Sequence, residues 1–388
     1  MKILPVLILL ALLGLGCKKV FVPDLGKAGD NRYLVVEGSI TGTDSTVIRL
    51  SRTKHVDTSR VIIAESNAVL TIEDDANGTI PLTELRPGTY AAAPFNLDVS
   101  RKYRLRIKTA GGQEYLSDYV VVKNSQPIDS VGFKALPTKM QVYVNTHDAG
   151  NNTRYYRWDY SETWQFHSMY RSGWASYGQR HVDDSIYYCF QRDSSSTITI
   201  ASTTKLSTDI VYQFPVTTID PTSEKIEKKY SVLVKQYALT PDAYAFWENL
   251  QKNTQNIGSV FDVLPSASPT NYRCLSNPGE LVVGYLSAGN IAYKRVFITK
   301  EQLPVSYVAV YPAVCELDTA FLVNPPKTPQ EIAMTDEFSH NSSAYTPVMG
   351  LYLPPPNPFG GPTAMSYSTV FCVDCTIRGV RPAPAFWR

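Results

Sequence analysis

Alternating apolar and polar residues mark a series of short strands in the part of the chain that follows residue 32. In the stretch 103–108 the residues Tyr103, Leu105 and Ile107 alternate with polar ones, which is the period of a strand with one buried face. Glycine-containing turns separate such stretches, at Asn77-Gly78, Pro87-Gly88 and Gly111-Gly112. About seven short strands in about 100 residues are typical of a two-sheet sandwich. We therefore predict an Ig-like or transthyretin-like β-sandwich over residues 33–130.

A second, larger β-rich domain with one or two helices is predicted for residues 131–388. Its strand candidates are the stretches 140–145, 155–160, 197–201, 229–237, 280–287 and 292–298. One helix is predicted from Pro241 to about Thr254, with Thr240 as its N-cap residue. Its apolar residues share one helical face, as Ala243, Phe246, Trp247 and Leu250. The chain as a whole is therefore predicted to be mainly β.

The first 16 residues have the pattern of a secretory signal peptide. Lys2 precedes an uncharged apolar run over residues 3–15, which is too short to span a bilayer as a helix. The run ends Gly14-Leu15-Gly16-Cys17, which resembles a bacterial lipobox. That resemblance implies that the leader 1–16 is removed and that Cys17 is lipidated, followed by a polar linker to residue 32. The alternative is an ordinary signal peptide with an incidental cysteine.

Composition narrows the range of partners. The formal net charge is +2, which gives no reason to expect a nucleic-acid partner or a strongly charged substrate. Apolar residues make up 44% of the chain, enough for a globular core. We therefore expect a folded, exported protein that interacts with the membrane through its anchor.

Five cysteines lie beyond Cys17. An exported chain enters an oxidising compartment, in which disulfides form and persist. We predict two disulfides and one spare thiol, with a connectivity that sequence alone does not give. The candidates are Cys189, Cys274, Cys315, Cys372 and Cys375. The pair Cys372-Val-Asp-Cys375 is interpreted as supplying partners for upstream cysteines. Half of a zinc site and a redox motif are the alternatives, and the second lacks a thioredoxin-like context.

The densest aromatic segment runs from residue 155 to residue 177 and allows two interpretations. Alternation puts Tyr156, Trp158 and Tyr160 on one strand face, opposite Arg157 and Asp159. This face is either part of a core or an exposed surface for a partner or ligand, since Trp, Tyr and Arg anchor many interfaces. The candidate surface residues are Tyr156, Trp158, Trp164, Tyr170 and Trp174.

No complete catalytic constellation is recognisable, so we predict a non-enzymatic protein with no cofactor and no metal. The five histidines are scattered along the chain, without the spacing of a helical metal site. A metal-dependent hydrolase that uses His167, His181 and Asp183 is kept as an alternative function.

Several segments together resemble one protein family. They read LVVEGSI at 34–40, IRLS at 48–51, YYRW at 155–158, ETW at 162–164, YSVLVKQY at 230–237 and GYLSA at 284–288. The tail adds Cys372-Val-Asp-Cys375-Thr376, then Gly379, Pro382 and Phe386-Trp387. In order and spacing they are similar to the "domain of unknown function 4249" family of Bacteroidota outer-membrane lipoproteins, over essentially the whole chain after the leader.

This resemblance implies a lipid-anchored outer-membrane protein that accompanies a TonB-dependent transporter. No catalytic residues carry over from the family. Surface-exported lipoproteins of this phylum often have acidic residues just after the lipidated cysteine, whereas Lys18 and Lys19 follow it here. Both orientations, toward the periplasm and toward the cell exterior, therefore stay open. We therefore predict an accessory or binding protein of the outer membrane without catalysis. A surface glycan- or peptide-binding module is the alternative that the aromatic segment suggests.

Overall fold

Strands form most of the regular structure in the computed structural model, which describes residues 32–53, 62–172, 186–255, 270–312, 314–321, 344–351 and 364–387. The prediction of a mainly β chain is confirmed. The described helices are α1 (Pro241–Gln255) and α2 (Val370–Val373), with 3-10 turns at Glu224–Ile226, Lys300–Gln302 and Cys375–Ile377. None of the helices in these ranges is both long and apolar enough for a membrane span. The predicted leader, Cys17 and the linker up to residue 31 lie outside the described residues.

The first unit is one sheet of eleven strands around a single core. Nine of its strands are β1 (Leu34–Ser39), β2 (Thr46–Arg52), β3 (Ile63–Ala64), β4 (Val69–Asp74), β5 (Thr79–Arg86), β6 (Thr89–Ala92), β7 (Lys102–Lys108), β8 (Glu114–Ser117) and β9 (Val120–Val121). The predicted alternation along β7 is confirmed, because Tyr103, Leu105 and Ile107 are buried. These nine strands pair in antiparallel fashion in the order β8-β7-β4-β5-β6-β2-β1, with β3 on β2 and β9 on β7.

A segment from much later in the chain completes this sheet. Strand β17 (Tyr272–Cys274) pairs with β8, and β18 (Val282–Val283) pairs in parallel with β1 at the opposite end of the strand order. Ala288 then bridges both Ile40 and Val122, so the segment ties the two ends of the sheet together. We call residues 270–290 the return segment. Its apolar residues join the first core, although the segment lies within the predicted domain 131–388.

Gly289 is the position where the return segment approaches its neighbours most closely. A Cβ atom on Gly289 would lie 1.8 Å from the carbonyl oxygen of Lys123, which is a backbone atom that cannot rotate away. We expect Gly289→Ala to lower the free energy of unfolding by at least about 2 kcal/mol, because the return segment must move off the sheet. Urea unfolding followed by circular dichroism measures this. Gly279→Ala is the matched control, since its Cβ would meet nothing closer than 3.7 Å, and an equal loss in both variants would contradict the argument.

The second unit is a β-sandwich of two sheets. One sheet is β10 (Ile128–Leu136), β11 (Lys139–Asp148) and β15 (Asp209–Ile219), in that order. The other has the order β13-β12-β16-β19, from β12 (Tyr155–His167), β13 (Tyr188–Ser194), β16 (Lys229–Ala238) and β19 (Ala292–Thr299), with β14 (Thr199–Ser202) beside β12. Their inner faces share one core, which includes Met140, Val142, Val144, Tyr156, Trp158, Phe166, Val232 and Val234. The division of the chain into domains at residue 130 stays a prediction.

The predicted helix is confirmed as α1, and its start follows from its sequence. The Thr240 hydroxyl accepts a hydrogen bond from the Ala243 amide at 3.2 Å, as an N-cap residue does. Ala243 and Phe246 are buried beneath the helix. The Arg157 guanidinium lies over the rings of Tyr237, at 4.2 Å, and Trp247, at 4.1 Å. The helix therefore covers part of the outer face of the β-sandwich in the second unit.

A small third sheet and two disulfides form the C-terminal part of the second unit. Strands β20 (Asp318–Phe321), β21 (Tyr345–Leu351) and β22 (Ala364–Thr369) pair in the order β20-β22-β21. Disulfides join Cys189 to Cys375 and Cys315 to Cys372, and Cys274 is a buried free thiol. The prediction of two bridges and one spare thiol is confirmed. Each cysteine of the Cys372-Val-Asp-Cys375 pair binds a distant upstream cysteine, so neither the zinc nor the redox interpretation holds for it.

Candidate functional site

The predicted aromatic surface on β12 is corrected, because its central residues are buried. Tyr156 and Trp158 are 0% exposed and Trp164 is 5% exposed, on the strand face that points between the two sheets. Trp158 packs against Phe214 of the opposite sheet at 5.0 Å, and its indole nitrogen donates to Gln236 Oε1 at 2.9 Å. These rings therefore form part of the core, where large buried aromatic side chains stabilise the fold.

The remaining members of the predicted surface are placed differently. Tyr170 is half-buried, and its hydroxyl donates to the carbonyl of Cys315 at 2.7 Å. Trp174 lies outside the described residues. Arg157 and Asp159, on the opposite strand face, form an ion pair at 3.1 Å. The structure therefore does not bring the five predicted residues together on one exposed face within the described part of the chain.

His167, from the hydrolase alternative, belongs to a polar cluster at the end of β12. Its Nε2 lies 3.1 Å from Glu227 Oε1, and the Tyr311 hydroxyl donates to that same oxygen at 2.7 Å. Tyr187 stacks on the His167 ring at 4.9 Å. His181 and Asp183 lie outside the described residues. The described residues contain no group of three His, Cys, Asp or Glu side chains that could hold a metal ion.

The Glu227 carboxylate makes this cluster sensitive to pH. Burial opposes its ionisation, but hydrogen bonds from His167 and Tyr311 outweigh that effect and hold the pKa of Glu227 below its ordinary value. A depressed folded pKa stabilises the protein above the unfolded pKa of about 4.3, and this contribution is lost as the pH falls through the folded pKa.

We expect Glu227→Gln to destabilise the protein more at pH 7 than at pH 3, because the stabilising charge of wild-type Glu227 is lost as the pH falls through its lowered folded pKa. Urea unfolding of both proteins at each pH measures the two differences. Glu248→Gln serves as the control variant, since Glu248 is exposed on α1 and pairs there with Lys252. A difference between wild type and Glu227→Gln that does not change with pH would count against this account of the cluster.

Tyr311 also belongs to the most exposed apolar stretch that follows β19. We call residues 304–312 and 314–317 the valine ridge. Five of its apolar residues face solvent, with exposed fractions of 92% for Val305, 60% for Val308, 71% for Val310, 60% for Val314 and 44% for Leu317. Isolated exposed apolar residues are common, but a contiguous stretch of this kind indicates an interaction surface.

Anchored residues at every fourth position, Tyr307, Tyr311 and Cys315, hold the valine ridge in place. The Tyr307 hydroxyl donates to the carbonyl oxygens of Leu136, at 2.6 Å, and Lys139, at 2.9 Å, in the turn between β10 and β11. Tyr311 is held by Glu227, and Cys315 by its disulfide. The exposed valines are thus displayed on a fixed backbone.

The valine ridge and the start of the first unit are each separated by one strand from the junction of the two units. Asn290, just before β19, accepts hydrogen bonds from the amides of Gly42 and Thr43, just after β1, so these ends of both strands meet where the units join. Strand β1 leads away from this junction back to Leu34, and β19 leads away from it toward the ridge. At about 3.3 Å per residue, the six residues of β1 span about 20 Å and the eight residues of β19 about 26 Å.

Sequence reasoning missed Glu227, Tyr311 and the valine ridge. Glu227 and Tyr311 are far apart in sequence and only the fold joins them to His167. The sequence does contain a signal for the ridge. Residues 303–315 include four valines outside the predicted strands and no charged residue, in a chain that is 19% charged.

Comparison with known proteins decides the family. Residues 18–295 match the family described as "Domain of unknown function (DUF4249)", which is well over half of the chain. The chain belongs to this family. The predicted DUF4249 resemblance is thereby confirmed, although the match ends before the valine ridge and the tail around Cys372 and Cys375.

Other comparisons add little to the DUF4249 assignment. No curated protein matches this chain. Among solved structures, the crystal structure of the chicken CNTN1 FN1-FN3 domains is similar, at 12% identity and a TM-score of 0.17. The alignment covers 54% of this chain and 63% of that one, so the chain spans less than two thirds of that structure.

Proposed function

We propose that this DUF4249 protein is a lipid-anchored accessory protein of the outer membrane that binds a membrane protein there and carries out no catalysis. Cys17 would hold the lipid after removal of residues 1–16, and the linker to residue 32 would lead into the first unit. The partner we propose is a TonB-dependent transporter. Anchoring toward the periplasm and anchoring toward the cell exterior are both compatible with this role.

The separation of Leu34 from the valine ridge by strands β1 and β19 carries this proposal. Leu34 begins β1, at the end of that strand away from the junction at Gly42, and the ridge follows the end of β19 away from the junction at Asn290. A tether at one end leaves the other end free to reach a partner that stands in the same membrane. The contacts between Asn290 and the Gly42 and Thr43 amides help to hold the two units together as a spacer.

The fixed backbone of the valine ridge supports a binding role over a catalytic one. The His167–Glu227–Tyr311 cluster uses its hydrogen bonds to hold the ridge, at 3.1 Å and 2.7 Å around one carboxylate oxygen. A ridge that is ordered before binding loses little conformational entropy when a partner docks. The glycan alternative loses support, because Trp158 and Trp164 are buried.

We expect Cys17→Ser to abolish labelling by a fatty-acid analogue and to release the protein from the membrane fraction. Loss of the acyl chains removes about 0.8 kcal/mol for each buried CH₂ group, and no other anchor is proposed. Cys274→Ser is the control, since that thiol is buried in the first core and should leave labelling unchanged. Unchanged labelling and membrane attachment of Cys17→Ser would overturn the anchor.

The partner is tested separately from the anchor. Purification of the wild-type protein from detergent-solubilised outer membranes should bring down a TonB-dependent transporter, identified by mass spectrometry. Absence of any such transporter from repeated purifications would overturn the proposed partner while leaving the anchor standing.

A further inference from the structure

We propose that the valine ridge binds its partner by strand addition, with the edge of residues 308–312 pairing with an extended, uncharged segment of the partner protein. This inference rests on the proposed function and names how that partner is held. It requires an extended backbone, an open hydrogen-bonding edge and a chemistry that selects a peptide segment over a lipid surface.

The burial pattern shows that this part of the ridge is extended. Tyr307 is 2% exposed and Val308 is 60% exposed, and Val310 at 71% is flanked by the half-buried Ala309 and Tyr311. Alternation of buried and exposed side chains at every second residue is the geometry of a strand. Val308 and Val310 therefore point to the same, outward side.

One edge of this extended segment is already paired and the other is open. The Val310 amide donates to the carbonyl oxygen of Thr222 at 2.9 Å, which fixes the inner edge. Successive amides of a strand point to opposite edges, so those of Ala309 and Tyr311 face the other way. Within the described part of the chain, these two amides have no hydrogen-bond acceptor. An unpaired strand edge is a template for another strand.

Charge selects the class of partner. Residues 303–315 contain no charged side chain. Attraction to an anionic lipid surface depends on lysine and arginine, which this stretch lacks. A peptide strand with apolar side chains at alternate positions would cover Val308 and Val310 and would supply two carbonyl oxygens to the open amides. The structure thus favours a protein segment as the occupant.

Site-specific photo-crosslinking tests the occupant. A benzophenone amino acid replaces Val308 in the full-length, lipidated protein, and intact cells are irradiated before digestion and mass spectrometry. We expect crosslinks to an extended, uncharged segment of an outer-membrane protein. The same probe at Val69, which is 65% exposed on β4 of the first unit, is the matched control and should give no such product. Crosslinks only to lipid, only to a second copy of this chain, or at no higher level than at Val69 would overturn the proposal.

Two variants separate this proposal from the proposed function. Ala309→Pro removes one open amide, and Val308→Lys places a charge against the partner strand; we expect each to lower recovery of the transporter at least about tenfold. Val69→Lys should leave recovery unchanged. Circular dichroism and formation of the Cys315–Cys372 disulfide confirm folding of each variant. Wild-type recovery by both folded variants would overturn strand addition and leave the proposed function intact, whereas failure of the wild-type protein to recover a transporter would count against the proposed partner itself.

Hydrogen exchange gives a direct readout of the pairing. In the purified complex, the amides of Ala309 and Tyr311 should exchange at least about tenfold more slowly than in the free protein, because each gains an acceptor. The Val310 amide, already bonded to Thr222, should change much less. Equal rates for Ala309 and Tyr311 in the free and bound states would overturn the pairing.

Discussion

A fragment that ends at residue 130 should fail to fold, even though it contains nine strands of the first sheet. The fragment lacks the return segment, whose buried residues in the first core are Tyr272, Cys274, Val282, Leu286 and Ala288. Burying one large apolar side chain contributes about 1.5–3 kcal/mol, and a domain is stable by only about 5–15 kcal/mol in total. Loss of the segment therefore removes a contribution as large as the whole stability. Circular dichroism and one-dimensional NMR of fragment 33–130 measure the outcome.

The matched control joins fragment 33–130 to residues 270–290 through a flexible linker. We expect this chain to recover cooperative thermal unfolding, because both ends of the sheet regain their partners at Leu34 and Tyr115. A cooperative transition in the fragment without the return segment would contradict the assignment of these residues to the first core.

Removal of the two disulfides should produce the second large loss of stability. The Cys189–Cys375 bond joins residues 186 apart in sequence, and the Cys315–Cys372 bond joins residues 57 apart. Loop-closure entropy assigns such loops about 5 and about 4 kcal/mol, respectively. The second loop lies inside the first, so the two contributions are not additive. We expect Cys189→Ala with Cys375→Ala to lower the free energy of unfolding by about 3–5 kcal/mol, measured by urea unfolding.

Reductant separates the effect of the bonds from the effect of the substitutions. Dithiothreitol should lower the unfolding midpoint of the wild-type protein and of Cys274→Ala alike, because Cys274 is not bridged. A variant with all four bridged cysteines replaced should not respond. A response of this variant equal to that of the wild type would show that the bonds are not the source of the stability.

Local patterns in the sequence were sufficient for the local features of the fold. The alternation of Tyr103, Leu105 and Ile107 predicted a half-buried strand, and the Thr240 cap with the apolar face of Phe246 predicted α1, because both depend on neighbours within a few residues. The number of disulfides followed from the odd count of cysteines in a chain predicted to be exported.

Long-range pairing escaped the same reasoning. Strand β18 has only two residues, Val282 and Val283, and nothing local shows that its partner is β1 almost 250 positions earlier. The face of Tyr156 and Trp158 has the same pattern whether it meets another sheet or a ligand, so sequence left the choice open. Glu227 is one acidic residue among many until the fold places it beside His167.

The return segment also sets the order in which a growing chain can complete its cores. The first core is complete once Ala288 has been made, whereas the second core also includes Tyr307 and Cys375 and is completed later. Strands β1 to β9 therefore wait for their last partners until about three quarters of the chain has been made. Pairings this distant in sequence fold slowly. The first unit thus stays incomplete during most of the synthesis of the chain, and the second unit is completed only when Cys375 has been made.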